Sequence, residues 1–173
     1  MKGFTLVELL VISALFSLVI GAISTIFIVG VSSQRKILEE QDILNQISYA
    51  VEYMGRALRM AKKEVDSPPT CLSQTGLNYE KTSNGIKFID YNGNCTEFFK
   101  ENGKLKKRVG LDIFDLTSPK IEVSQFNIEL LGENQTDNLQ PRVTIFLEVQ
   151  RKEGGSKIQA QTTISQRNLD VQY

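Results

Sequence analysis

The sequence contains no histidine. That removes the commonest general base and the commonest imidazole metal ligand, and with them every His-dependent triad or zinc site. Net charge is also missing: 20 basic side chains are matched by 20 acidic ones in 173 residues. A general nucleic-acid binder needs an excess of positive charge, so the composition argues against one. Cysteine is scarce, with Cys71 and Cys95 the two present. A zinc site built on two cysteines needs further ligands, and none is suitably spaced. In an oxidising compartment a disulfide between the two is the simplest reading; two free, buried thiols are the alternative. No nucleophile stands with a base in a recognisable constellation, so no enzyme and no bound cofactor is expected.

Charge is absent locally as well. From Leu9 to Val31 the chain is Leu, Ile, Val, Phe and Ala, with Ser13, Ser17, Gly21, Ser24, Thr25 and Gly30 interspersed. A bilayer core takes about 20 apolar residues in a helix, and this run is long enough. Serine and threonine hydroxyls can return to the preceding turn, and Gly21 and Gly30 let neighbouring helices approach closely. Lys2 precedes the run and Arg35 and Lys36 follow it, so flanking charge alone leaves the orientation ambiguous. A cleaved secretory signal has an apolar region of about 7–15 residues, shorter than this one. A plain single-span anchor fits the length but leaves Glu8 unexplained. A carboxylate in hydrocarbon costs on the order of 2.5–3.5 kcal/mol on insertion scales. The remaining reading gives Glu8 a positive partner on another molecule.

The segment Gly3-Phe4-Thr5-Leu6-Val7-Glu8 resembles the cleavage and methylation motif of type IV prepilins and of type II secretion pseudopilins. The resemblance covers about the first thirty residues. It implies that a prepilin peptidase cuts after Gly3 on the cytoplasmic side and N-methylates the new terminus at Phe4. The leader would be residues 1–3, the transmembrane helix 4–31. Cutting creates an ammonium at Phe4, and an ammonium and a carboxylate that are both poorly hydrated attract strongly. Glu8 would neutralise the Phe4 amine of a neighbouring subunit or of its own chain, forming an assembly salt bridge.

After Gln34 the sequence stays compatible with helix to about residue 66. Ile37, Leu44, Val51, Leu58 and Val65 recur at every seventh position, with Ile47, Met54 and Ala61 between them. Arg35, Lys36, Glu39, Asp42, Glu52, Arg56, Arg59 and Lys63 are expected on the opposite face. A seven-residue period is compatible with a coiled coil; one helix laid on a sheet of its own domain is the simpler expectation. Residues 32–66 are therefore expected to continue the helix, with Ser67-Pro68-Pro69 ending it. Residues 67–173 then read as an antiparallel β domain. Gly85 to Tyr91, Cys95 to Lys100 and Lys104 to Val109 form a three-strand meander turned at Asn92-Gly93 and Asn102-Gly103. Lys120 to Leu131 and Arg142 to Gln150 alternate, and Glu153-Gly154-Gly155-Ser156 turns the latter into Ile158 to Ile164. The expected fold class is α+β: one long N-terminal helix, half membrane-spanning and half amphipathic, packed on an antiparallel sheet. That is also the layout the resemblance implies.

Several local patterns have plainer explanations than binding. Asp90 to Glu101 superficially matches a calcium loop, but Cys95 stands where the loop needs glycine, so a hairpin accounts for it. Lys104, Lys106, Lys107 and Arg108 read as an edge strand defended by lysines rather than as a DNA contact. Asn94-Cys95-Thr96 and Asn134-Gln135-Thr136 match the glycosylation acceptor pattern by chance.

Ile121-Glu122-Val123 with Phe126, Pro141-Arg142-Val143, and Thr162 to Asn168 resemble J-type minor pseudopilins and W-type minor pilins. The resemblance implies a minor subunit at or near the tip of an inner-membrane-derived filament, in a type II secretion or type IV pilus system. Its partners would be the prepilin peptidase, other pilin or pseudopilin subunits, an inner-membrane assembly platform and, before assembly, membrane lipid. Its terminus would be cytoplasmic and its β domain periplasmic or otherwise extracytoplasmic. A single-span periplasmic binding module and a DNA-uptake minor pilin are the alternatives.

Overall fold

The computed structural model describes residues 3–133, 139–152 and 157–167. Met1 and Lys2 of the expected leader, Asn134-Gln135-Thr136, the Glu153 to Ser156 turn and Asn168 lie outside the described residues. The chain is α+β, one long N-terminal helix followed by antiparallel strands. Two compact units divide it, Met1–Asp42 and Ile43–Tyr173.

Helix α1 spans Leu6–Arg59. Its portion up to residue 42 is exposed throughout. Its remaining portion belongs to the second unit and buries Ile43, Ile47, Ala50, Met54 and Leu58. Those residues recur at spacings of four, three, four and four, the period of an unsupercoiled helix. The strict seven-residue stripe therefore requires correction: Leu58 is buried, but Leu44 and Ile37 are exposed. A straight helix drifts by about 20° per heptad, so a fixed seven-residue step leaves the buried face within two or three repeats.

The helix also ends earlier than the prolines suggest. The Met60 amide is shared between the Arg56 and Ala57 carbonyls, both at 3.3 Å, which tightens the last turn. The Lys62 amide then donates to the Ile89 carbonyl at 2.9 Å. A main-chain bond to a strand, not Pro68, takes residues 60–66 out of the helix, and Val65 is exposed.

Five strands form one antiparallel sheet in sequence order: β1 (Glu80–Thr82), β2 (Gly85–Ile89), β3 (Cys95–Glu101), β4 (Lys104–Val109) and β5 (Asp112–Asp115). The expected meander is its centre. The β3–β4 turn carries positive φ at both Asn102 (51°) and Gly103 (71°), the backbone a tight hairpin of this hand requires. Gly85 is forced by space, because a Cβ there would sit 1.9 Å from the Phe98 carbonyl oxygen. The second sheet is β6 (Ile121–Leu131), β7 (Arg142–Arg151) and β8 (Ile158–Ser165), in that order, with an irregularity between Val123 and Gln125.

Alternation on the strands supplies the rest of the core. Ile86, Phe88, Phe98 and Leu105 from the first sheet join Ile121, Val123, Val143, Ile145, Leu147 and Val149 from the second around the helix face. Each such side chain contributes roughly 1.5–3 kcal/mol of burial free energy. Phe98 is central: its ring lies 5.4 Å from Phe88 and 6.1 Å, edge-on, from Tyr53.

The basic run is not on an edge. β4 lies between β3 and β5. Lys104 pairs with Asp115, Lys106 with Glu101 at 2.6 Å, and Arg108 with Glu97 at 2.5 Å. Lys107 donates to the Tyr53 hydroxyl at 2.9 Å. Cross-strand neutralisation explains Lys104, Lys106 and Arg108, and a hydrogen bond to the helix explains Lys107; none of the four serves edge protection. The Asp90 turn is likewise internal: its carboxylate accepts the Asn92 and Asn94 amides at 2.9 and 2.8 Å. Among the described residues no group of three potential carboxylate or thiolate ligands converges on a metal position.

Candidate functional site

The candidate site is the start of α1. Thr5 stands one residue before the helix and Glu8 is in its first turn. The Glu8 amide donates to Thr5 Oγ1 at 3.3 Å, and the Thr5 amide donates to Glu8 Oε2 at 3.5 Å. This is a reciprocal capping box, in which two of the helix's orphan donors are satisfied by side chains. Thr5-Leu6-Val7-Glu8 has the Thr-x-x-Glu spacing that announces it, a signal overlooked when Glu8 is read for charge alone. The carboxylate lies at the positive end of the helix dipole, where negative charge is favoured.

Apolar surface surrounds this polar pair. Phe4 is 70% exposed and Leu6 82% exposed, and the exposure continues past Val31. α1 is long and apolar enough to cross a membrane by length and composition. Hydroxyls along it return to the preceding turn as expected: Ser13 to the Leu10 carbonyl at 2.9 Å, Ser17 to Ser13 at 2.8 Å and Thr25 to Gly21 at 3.0 Å. None of these groups is left unsatisfied for a lipid environment.

Glycine positions carry a further message. A Cβ added at Gly3, Gly21 or Gly30 would meet nothing within 4 Å. Gly85 is dictated by the chain's own packing; these three are not. In a helix interior glycine costs about 1 kcal/mol relative to alanine, so Gly21 and Gly30 lower helix stability with no close neighbour among the described residues to require them.

Residues 1–24 match the family described as the prokaryotic N-terminal methylation motif. The chain carries that motif. No curated protein and no solved structure matches the chain. The methylation motif supports a type IV pilin-like protein, a family of structural subunits, and the exposed apolar helix fits membrane anchoring. It implies processing by prepilin peptidase and assembly with other pilins.

The two cysteines lie elsewhere. Cys71 and Cys95 are joined by a disulfide with their Cα atoms 5.3 Å apart. They form a second apolar cluster with Leu72, Ile89 and Leu77. Gly3, Phe4 and Glu8 belong to the Met1–Asp42 unit and the cysteines to the Ile43–Tyr173 unit.

Proposed function

We propose that this chain is a minor pilin-like subunit, a pseudopilin, of a type II secretion or type IV pilus system. Prepilin peptidase cuts after Gly3 and methylates the Phe4 amine. The mature helix from Phe4 to Val31 holds the subunit in the inner membrane as a single pass, with its terminus cytoplasmic and its β domain extracytoplasmic. An assembly platform then draws it into a filament, at or near the tip. The observation that carries this reading is the methylation motif at residues 1–24 running directly into an apolar helix whose described side chains are exposed up to residue 42. The disulfide supports placing the β domain in an oxidising compartment. The pattern of β6 to β8 supports the J-type or W-type minor subunit.

Within the filament the helices pack against one another, and Leu, Ile, Val and Phe exchange lipid for protein at small cost. Gly21 and Gly30 serve that packing. Glu8 leaves its capping partner Thr5 and accepts the methylated Phe4 ammonium of a neighbour, so that only one axial register satisfies both charges. DNA uptake is less well supported, because Lys104, Lys106 and Arg108 already pair with carboxylates in the sheet and Lys107 with the Tyr53 hydroxyl.

Intact-mass measurement of protein extracted from its native membrane tests the proposal. The expected species has lost Met1-Lys2-Gly3 and gained one methyl group. A mature chain that retains the leader overturns it and leaves a membrane-anchored binding module.

A further inference from the structure

Glu64 is a buried acid with no part in the filament reading. It is 1% exposed, and a carboxylate removed from water needs strong compensation. The compensation comes from the main chain. Glu64 Oε2 accepts the amides of Cys71 at 2.8 Å, Thr70 at 3.2 Å and Leu72 at 3.2 Å, and Oε1 accepts the Asp66 amide at 3.2 Å. Its own amide donates to the Leu77 carbonyl at 2.8 Å, and its carbonyl accepts from the Gly76 amide at 2.7 Å. One residue thus gathers both ends of the 66–76 loop. The Cys71 amide is the largest influence lowering its pKa; burial opposes, and the amides of Leu72, Asp66 and Thr70 add to the lowering.

These contacts complete a noncovalent path between the two sulfurs. Cys95 is the Cα partner of Ile89 across β3 and β2. The Ile89 carbonyl holds the Lys62 amide. Lys62 stands two residues before Glu64, and Glu64 holds the Cys71 amide. The links are strand pairing, two hydrogen bonds and one short stretch of main chain, and none requires the disulfide.

We propose that Glu64 is the residue that sets Cys71 against Cys95 for oxidation, organising the loop before the bridge forms. Without it, oxidation would have to close the loop between residues 24 apart in sequence from an open ensemble. With it, the Lys62 to Ile89 bond closes the long loop and Glu64 holds Cys71 to the same segment, so the closure entropy is met before oxidation. The oxidant is a disulfide-bonded compound, RSSR. One cysteine thiolate attacks it and releases one RSH; the second attacks the mixed disulfide and releases another. Two electrons pass to RSSR, and the two thiol protons leave on the two RSH molecules.

Two measurements on the full-length chain in detergent micelles test this independently of leader processing. The first uses Cys95→Ser, which cannot form the bridge, and follows hydrogen exchange at the Cys71 and Leu72 amides. Glu64 is expected to keep them protected by about 100-fold or more; exchange at unprotected rates overturns the proposal. The second equilibrates wild type, Glu64→Gln and Glu80→Gln in glutathione buffers and traps thiols by alkylation. Glu80→Gln is the control, because Glu80 touches the same loop at the Ser73 amide. Glu64→Gln is expected to need a ratio of GSSG to squared GSH about tenfold higher for half oxidation, and Glu80→Gln less than about twofold. A wild-type midpoint in folded Glu64→Gln overturns the proposal. If Glu64→Gln fails to fold, the exchange measurement decides alone.

Discussion

The two units of this chain treat apolar surface in opposite ways. In the second, Phe98 and Phe88 are wholly buried, and Lys104, Lys106 and Arg108 of β4 find carboxylate partners in the same sheet. In the first, Phe16 and Phe27 are 65% and 70% exposed, and Gly21 and Gly30 answer to no neighbour among the described residues. Soluble monomers rarely expose contiguous apolar surface beyond a few hundred Å². The second unit is therefore finished by its own contacts, whereas the first presents an exposed apolar helix that fits membrane anchoring.

The largest effect that separates the units comes from one substitution in each. Phe98→Ala empties the centre of the core and is expected to destabilise the β domain by about 3–5 kcal/mol. Phe27→Ala removes an exposed ring of the first unit and is expected to leave the stability of the β domain within about 0.5 kcal/mol. Urea unfolding in micelles, followed by tyrosine fluorescence because the chain lacks tryptophan, measures both. A comparable loss from the two substitutions would break the contrast.

Glu8 gives the next effect. Replacing it with leucine removes a carboxylate whose placement in hydrocarbon costs up to about 2.5–3.5 kcal/mol, so membrane residence is expected to persist. Cleavage after Gly3 is also expected to persist. Incorporation into filaments should fall about tenfold or more, the equivalent of at least about 1.4 kcal/mol of lost pairing. Quantifying the subunit in sheared filaments against the membrane fraction reads this directly, and normal incorporation would remove the pairing role.

The same contrast explains what was legible in the sequence. β2 to β4 and β6 to β8 are visible because alternation and Asn-Gly turns are local signals. β1 and β5, with three and four residues, are too short to alternate recognisably and exist because neighbours pair with them. The end of α1 was misread because the event that stops it, the Lys62 to Ile89 bond, lies in tertiary structure. Glu64 was invisible for the same reason: in Lys62-Lys63-Glu64-Val65-Asp66 it looks like one more solvated charge. The motif at Gly3, Phe4 and Glu8 was readable because it is linear. Its Thr5 contact could also have been read from the Thr-x-x-Glu spacing.

The smallest effect uses acid to distinguish the carboxylates of the finished unit from ordinary ones. Glu148 is 5% exposed on β7. It accepts Gln159 Nε2 at 2.7 Å, Ser124 Oγ at 2.7 Å and Lys157 Nζ at 3.0 Å. The Gln159 bond leads in holding its pKa down, from 4.5 to about 2, with Ser124 and Lys157 adding to it and burial opposing. Between those values the unfolded chain binds a proton at this residue that the folded chain does not. Stability from Glu148 is thus fully present above pH 4.5 and is lost as pH falls toward 2. Urea midpoints of wild type are expected to decline across that window, and Glu148→Gln is expected to decline less steeply because it has no proton to take up. Glu64, also held low by its amides, continues to titrate in the variant, so the slope should be reduced and not abolished. Identical slopes in the two proteins would mean that the Gln159, Ser124 and Lys157 contacts do not favour the charged form, and that the sheet tolerates Glu148 without using its charge.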